Sequence, residues 1–273
     1  MIDVTELFAA YQLQKRLEDG PKPTAFGALM RCSDAGSCIR KRGFAAIEAP
    51  ETEEIGPETL LAFEIGTSIH EVLQEAFLND PGLEVEVETP IDLSHLGVSL
   101  SGHTDGIITM PDGTKIILEI KTMSGFGAKM HFRGEPKREH IAQAGLYALG
   151  VEADGILLVY VSKESDFRSG IRPGQIAQWY YGLDDEVFFG ESVRSITEDE
   201  LSDCADIEAI IKNGMIPAPL VPNDTGVKVL VEDPPDYGGK GSPWNCRYCL
   251  YNSLCRTVGP GDVSIDIVRR ISA

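Results

Sequence analysis

Residues 102–122, GHTDGIITMPDGTKIILEIKT, gather three side chains that could act together on a phosphate. Two strand-like runs flank Pro111-Asp112-Gly113, the pattern of a type I turn closed by a glycine in the left-handed position. That turn pairs Met110 with Thr114. Counting outward, Asp105 stands opposite Glu119, with Cβ atoms roughly 4.5–5.5 Å apart, and Lys121 shares their face by the strand period of two. Facing carboxylates repel unless something neutralises them. A divalent cation such as Mg²⁺ or Mn²⁺ prefers such hard oxygen ligands and can supply both a nucleophilic water and charge stabilisation in phosphodiester hydrolysis. Lys121 then adds a positive charge near the attacking water or the phosphate. On a solvent-facing hairpin the same residues would be no more than a lysine offsetting two acids.

The cysteines form a second constellation. WNCRYCLYNSLC sets Cys246, Cys249 and Cys255 close together with no local fourth ligand, so a distant residue must complete any site. Four thiolates hold tetrahedral Zn²⁺ or a [4Fe-4S] cluster, and local spacing does not separate the two. Cys32 and Cys38 are the upstream candidates, while Cys204 lies in an apolar helical stretch and reads as core.

The elements that must position these groups are legible from periodicity. An N-terminal helix over residues 3–19 stops at Gly20-Pro21, and a second runs from Leu60 to Phe77 with Ile65, Ile69, Leu73 and Phe77 on one face. Strand-like alternation follows in LEVEVE, VSLSGHTDGIITM and TKIILEIKT. A helix from Arg138 to Leu149, closed by Gly150, leads into the buried strand GILLVYVS, and IAQWYYGL is a further strand. Thr197 and Glu200 predict a capping box opening a helix that ends at Gly214. This order describes a three-layer α/β core rather than a doubly wound one.

Four short motifs lie in order between residues 66 and 147: Gly66 to His70, Gly102 to Asp105, Glu119-Ile120-Lys121, and Gln143 to Tyr147. Together they resemble the RecB-like PD-(D/E)XK nucleases. The resemblance implies a restriction-endonuclease-like fold with a mixed sheet flanked by helices. It also implies that His70, Asp105, Glu119 and the Ile120 carbonyl bind Mg²⁺ or Mn²⁺, that Lys121 is catalytic, and that Gln143 and Tyr147 position DNA and the active site. The cysteines resemble the iron-sulfur subset of that family, including the CRISPR-associated Cas-four-type exonucleases and the AddB nuclease domain, with one cysteine before the core and three after it. The context SCIRKRGF makes Cys38 the expected partner of Cys246, Cys249 and Cys255 around a [4Fe-4S] cluster, with Cys32 as the alternative. The expected organisation is an N-terminal arm (1–62), a nuclease core (63–183), a helical extension and connector (184–238) and a cysteine-bearing tail (239–273).

Charge argues the other way, since 24 Lys and Arg against 43 Asp and Glu give −19, whereas nucleic-acid affinity rests on neutralising phosphates. Two basic stretches stand out: Arg31, Arg40, Lys41 and Arg42, and then Lys129, Arg133, Lys137 and Arg138. They suggest a local track for DNA, single-stranded or with free ends, on an acidic body. A non-catalytic nucleic-acid-binding or CRISPR-adaptation-like module with a structural metal cluster is the alternative. Neither a membrane span nor a secretory signal is apparent, which leads us to expect a cytoplasmic protein.

Overall fold

The computed structural model describes residues 4–272 apart from 20–22, 133, 189, 224–225 and 241–242. The expected stop at Gly20-Pro21 and Arg133 of the second basic stretch therefore lie outside the described residues. Helix α1 (Val4–Asp19) precedes a short strand β1 (Met30–Arg31), helix α2 (Ile39–Ala46) and the long helix α3 (Pro57–Leu78). Strands β2 (Glu84–Asp92), β3 (Leu100–Thr109) and β4 (Lys115–Met123) follow, then helices α4 (Gly125–His131) and α5 (Arg138–Gly150). Strands β5 (Gly155–Ser162) and β6 (Ile176–Gly182) complete the main sheet, and α6 (Val193–Lys212) packs beneath it.

The sheet is mixed. β2, β3 and β4 run antiparallel in sequence, β4 and β5 are parallel, β6 returns antiparallel, and β1 joins the opening residues of β3 in parallel. The strand period of two divides its apolar residues between two helical layers. Leu118, Ile120, Val159 and Val161 meet Ile69, Leu73 and Phe77 of α3 on one face. Ile117, Ile156 and Leu158 meet Ile141 and Leu146 of α5, and Ile196 and Ile207 of α6, on the other. This is the α/β architecture of a PD-(D/E)XK, restriction-endonuclease-like core. Among the described residues no helix is long and apolar enough to cross a membrane.

The hairpin follows its turn chemistry. Met110 N–H donates to Thr114 O at 2.9 Å, Gly113 N–H donates to Met110 O at 2.8 Å, and Gly113 has φ +90°. Glycine takes that backbone angle at no steric cost.

Helix α6 starts differently from the sequence expectation. Its N-cap is Ser192, whose hydroxyl accepts from Ser195 N–H while Ser195 Oγ accepts from Ser192 N–H. Thr197 is already inside the helix, its hydroxyl donating to Val193 O. Glu200 turns inward to the buried Arg42 at 2.7 Å and accepts from Gly36 N–H at 3.0 Å. A distant cation thus claims the carboxylate that the capping pattern assigned to the helix terminus.

Arg31 of the first basic stretch is exposed, but the rest of the stretch is not an exposed track. Arg40 and Arg42 are only 1% and 2% exposed. Arg42 is held by Glu200 and donates to Cys204 Sγ, while Lys41 pairs with Asp34 at 2.8 Å. In the second stretch, Arg138 is engaged by Glu191 and Asp199, and Lys137 by Glu139.

Breaking a buried pair strands a charge in a low-dielectric interior. Arg42→Ala and Glu200→Ala should each cost about 3–5 kcal/mol in denaturant unfolding. The joint replacement Arg42→Met with Glu200→Leu should cost far less than the sum of the single changes. Additive losses would show that the pair is not the coupled unit described.

Candidate active site and cysteine cleft

The site forms where β3 and β4 part. The predicted register is kept, but the ladder ends at Gly106 opposite Leu118, one pair short of Asp105 and Glu119. Instead of continuing the backbone pairing, Asp105 Oδ2 accepts the Ile120 N–H at 2.6 Å. The carboxylate thus satisfies the backbone donor that the ladder releases, as a buried N–H requires. On β2, Glu88 stands beside the same point, leaves its ladder with φ +50°, and accepts from Gln74.

Helix α3 covers this opening. His70 Nδ1 lies 3.2 Å from Asp105 Oδ1, and one turn later Gln74 Nε2 donates to the Asp105 carbonyl at 2.8 Å and to Glu88 Oε1 at 2.9 Å. The sequence reading missed Gln74. Its only signal is a position four residues after His70 on the same helix face. Burial pulls the His70 imidazole down, but the hydrogen bond to Asp105 and the negative charges of Asp105 and Glu119 together raise its pKa.

Glu119 is 1% exposed. Its Oε1 pairs with Lys121 Nζ at 2.6 Å, and its Oε2 is buried without a hydrogen-bond partner among the described residues. Burial raises its pKa from the ordinary 4.5 to about 7, against the pull of Lys121. Burial also depresses Lys121, but Glu119 outweighs it and keeps the ammonium charged.

Lys121 is held from a second side. Gln143 Oε1 accepts from its Nζ at 2.9 Å, and Gln143 Nε2 reaches the Tyr147 hydroxyl at 3.4 Å. The two residues share one face of α5, four apart. Tyr147 lies directly over Gly102, where an added Cβ would sit 2.7 Å from its hydroxyl. The glycine at this place lets α5 come down onto β3 three residues before Asp105. Six side chains of the four motifs and the Ile120 backbone thereby form one connected patch: His70 to Asp105, Asp105 to the Ile120 N–H, and Glu119 to Lys121, Gln143 and Tyr147.

The cysteines separate into two environments. Cys32 is fully buried in the main core, and so is Cys204. Cys38 caps α2 and lines a cleft of about 340 Å³ together with Cys246 of α7 (Trp244–Arg247), Cys255 of α8 (Asn252–Val258), and Cys249 between those two helices. Lys121 and Gln143 line the same cleft. Burial holds all four thiols above their usual range, Cys246 at about 12 and Cys249 at about 11. A metal group would have to displace those protons. Among the described residues no three His, Cys, Asp or Glu side chains converge tightly enough to hold one metal ion. The donor sets nevertheless fit their expected groups in kind: a carboxylate oxygen lacking a partner for a hard cation, and four thiols facing one cleft for an iron-sulfur cluster.

Arg40 ties the two cysteine-bearing segments together. Its guanidinium donates to Pro217 O at 2.8 Å and to the carbonyls of Gly259 and Gly261, and lies 3.8 Å from Cys255 Sγ.

The PD-(D/E)XK nuclease superfamily model matches residues 79–256, well over half of the chain. The chain belongs to the PD-(D/E)XK nuclease superfamily. No curated protein matches it in sequence. Among solved structures it is similar to SSO0001, at 18% identity and a TM-score of 0.49, covering 93% of this chain and 96% of that one. It is also similar to the alkaline exonuclease LHK-Exo from Laribacter hongkongensis, at 17% identity and a TM-score of 0.41, covering 64% and 82%. LHK-Exo in complex with dAMP aligns at 15% identity and a TM-score of 0.37, covering 67% and 95%.

The raised pKa of Glu119 has a measurable sign. Protonated Glu119 favours the folded metal-free protein, so its contribution is fully present below about pH 4.5 and is lost as pH rises through about 7. The difference in Tm between Glu119→Gln and the parent protein in EDTA should therefore shift in favour of the variant from pH 5 to pH 8. A difference that stays flat across that range would contradict the burial of an ionisable carboxyl at this position.

Proposed function

We propose that this chain is a deoxyribonuclease that hydrolyses phosphodiester bonds with Mg²⁺ or Mn²⁺ and acts on single strands or free ends as an exonuclease. The observation that carries the metal site is the buried Glu119 Oε2, an acceptor with no partner, set beside Asp105 and Lys121. His70, Asp105, Glu119 and the Ile120 carbonyl are the proposed ligands. When bound, the ion supplies a Lewis acid and a water of lowered pKa.

The remaining work falls to the chain's own groups. Lys121, kept charged by Glu119 and aimed by Gln143, offsets the negative charge that grows on the phosphate during attack. Gln143 and Tyr147 are positioning residues, because they act through Lys121. His70 and Gln74 fix Asp105 from the helix side, one at its carboxylate and the other at its backbone. A pure binding module gains nothing from an unpaired carboxylate oxygen inside a sheet, which costs stability, and this favours the catalytic reading. The single-strand and end preference rests on the family resemblance alone.

We also assign Cys38, Cys246, Cys249 and Cys255 as ligands of a [4Fe-4S] cluster that links the N-terminal arm to the tail. The four line one cleft while Cys32 and Cys204 lie in the core. Such a group supplies a crosslink across most of the chain, so its first role is structural.

Asp105→Ala, Glu119→Ala and Lys121→Ala should each reduce cleavage of end-labelled single-stranded DNA with Mn²⁺ by 10³-fold or more while leaving circular dichroism unchanged, since an electrostatic catalytic group contributes about 10²–10³ and a ligand more. Full activity of Glu119→Ala at saturating Mn²⁺ would refute the assignment. Anaerobically purified protein should be brown and contain iron and acid-labile sulfide. Cys38→Ser should lose the colour and lower Tm, and Cys32→Ser and Cys204→Ser should keep the colour. Stoichiometric zinc without iron would replace the cluster with a zinc site, and colour lost in Cys32→Ser but kept in Cys38→Ser would move the fourth ligand.

A further inference from the structure

The segment that carries Cys246 also presents two aromatic rings that no core claims. Trp244 and Tyr248 are four residues apart, 53% and 64% exposed, with ring centroids 6.4 Å apart. Each has a cation at its ring: Lys137 Nζ lies 5.8 Å from the Trp244 centroid, and the Arg247 guanidinium lies 5.6 Å from that of Tyr248. A single exposed aromatic needs no explanation. Phe167, at 94% exposure, is one such ring and does not line the cysteine cleft. Trp244 and Tyr248 differ because both line the cleft that also contains Lys121 and Gln143.

The lining of that cleft holds more basic than acidic side chains, although Arg40, Lys41 and Lys121 are each also engaged by the groups described above. Acids outnumber bases 43 to 24 overall, whereas Arg40, Lys41 and Lys121 line the cleft against one carboxylate, Glu139. Lys137, which caps α5, brings a further cation to the Trp244 face of the same helix that carries Gln143. Base faces stack on aromatic rings and phosphates follow cations, and this combination binds single strands with little regard to sequence. A duplex offers no free base faces along its length.

We propose that Trp244 and Tyr248 are a base-stacking platform for single-stranded DNA, which holds the strand in the cleft as its phosphate reaches Lys121. The proposal rests on the nuclease reading above and adds to it the residues that would select a single strand. It also gives the cysteine segment a part in substrate binding, because Cys246 lies inside the turn that carries both rings.

The test uses the whole 273-residue chain with divalent ions withheld, and compares oligothymidylate with an abasic oligonucleotide of the same length and phosphate count. The parent protein should bind oligothymidylate at least tenfold more tightly. Trp244→Ala with Tyr248→Ala should lose about that factor for oligothymidylate and leave abasic affinity unchanged. Trp179 is the second of the two tryptophans and is partly buried against Tyr160, so intrinsic fluorescence should quench on binding in the parent and not in Trp244→Phe. Equal affinity of the parent for both oligonucleotides, quenching that persists in Trp244→Phe, or tighter binding of a duplex of equal length would each overturn the platform. DNA cleavage with Mn²⁺ in the absence of any base discrimination would overturn this inference alone. Base discrimination without any cleavage would overturn the nuclease reading and keep the platform.

Discussion

A carboxylate forced into a sheet interior with one oxygen left over organises this molecule. Glu119 is buried because it lies on a central strand between helical layers, and its neighbours Leu118 and Ile120 are core residues on the opposite face. Its cost is relieved on one oxygen by Lys121 and on the other by no group among the described residues. An interior polar group in that condition is expensive, and the cation proposed above would give it a partner. The surrounding elements can be understood as holding that arrangement: Asp105 stops the ladder, α3 braces Asp105, and α5 braces Lys121.

Much of this geometry could be read in the sequence because it is local or periodic. Pro111-Asp112-Gly113 sets the hairpin register, and the period of two then brings Glu119 and Lys121 to one face without any tertiary information. The alternation of β3 and β4, the four-residue spacing in α3 and the apolar run of β5 likewise yielded the layers. The end of the ladder at Gly106 could not be read this way, because it depends on a side chain taking the Ile120 N–H in place of the facing strand. No pairing rule written for backbones contains that exchange.

The errors have one cause, which is burial imposed by residues far away in sequence. Arg40 and Arg42 read as a surface track because clustered arginines are ordinarily solvated, yet their partners are Glu200 and carbonyls near residues 217 and 259–261. The same Glu200 lent false weight to a capping box at Thr197, while the real cap, Ser192 with Ser195, uses a serine where the motif expects an acid. Cys32 and Cys38 stand six positions apart, and only the residues that follow Cys38 favoured it in the sequence. A single short turn between them sends one into the core and the other to the cleft.

Helix α2 is fastened from both sides by arginines two residues apart, Arg42 to α6 and Arg40 to the carbonyls of the C-terminal segment. Neither attachment depends on a thiolate. Under the cluster assignment proposed above, the arm and the tail could dock before any cofactor arrives, and its loss would loosen the fold without releasing the two segments, where a zinc-finger-like domain would come apart.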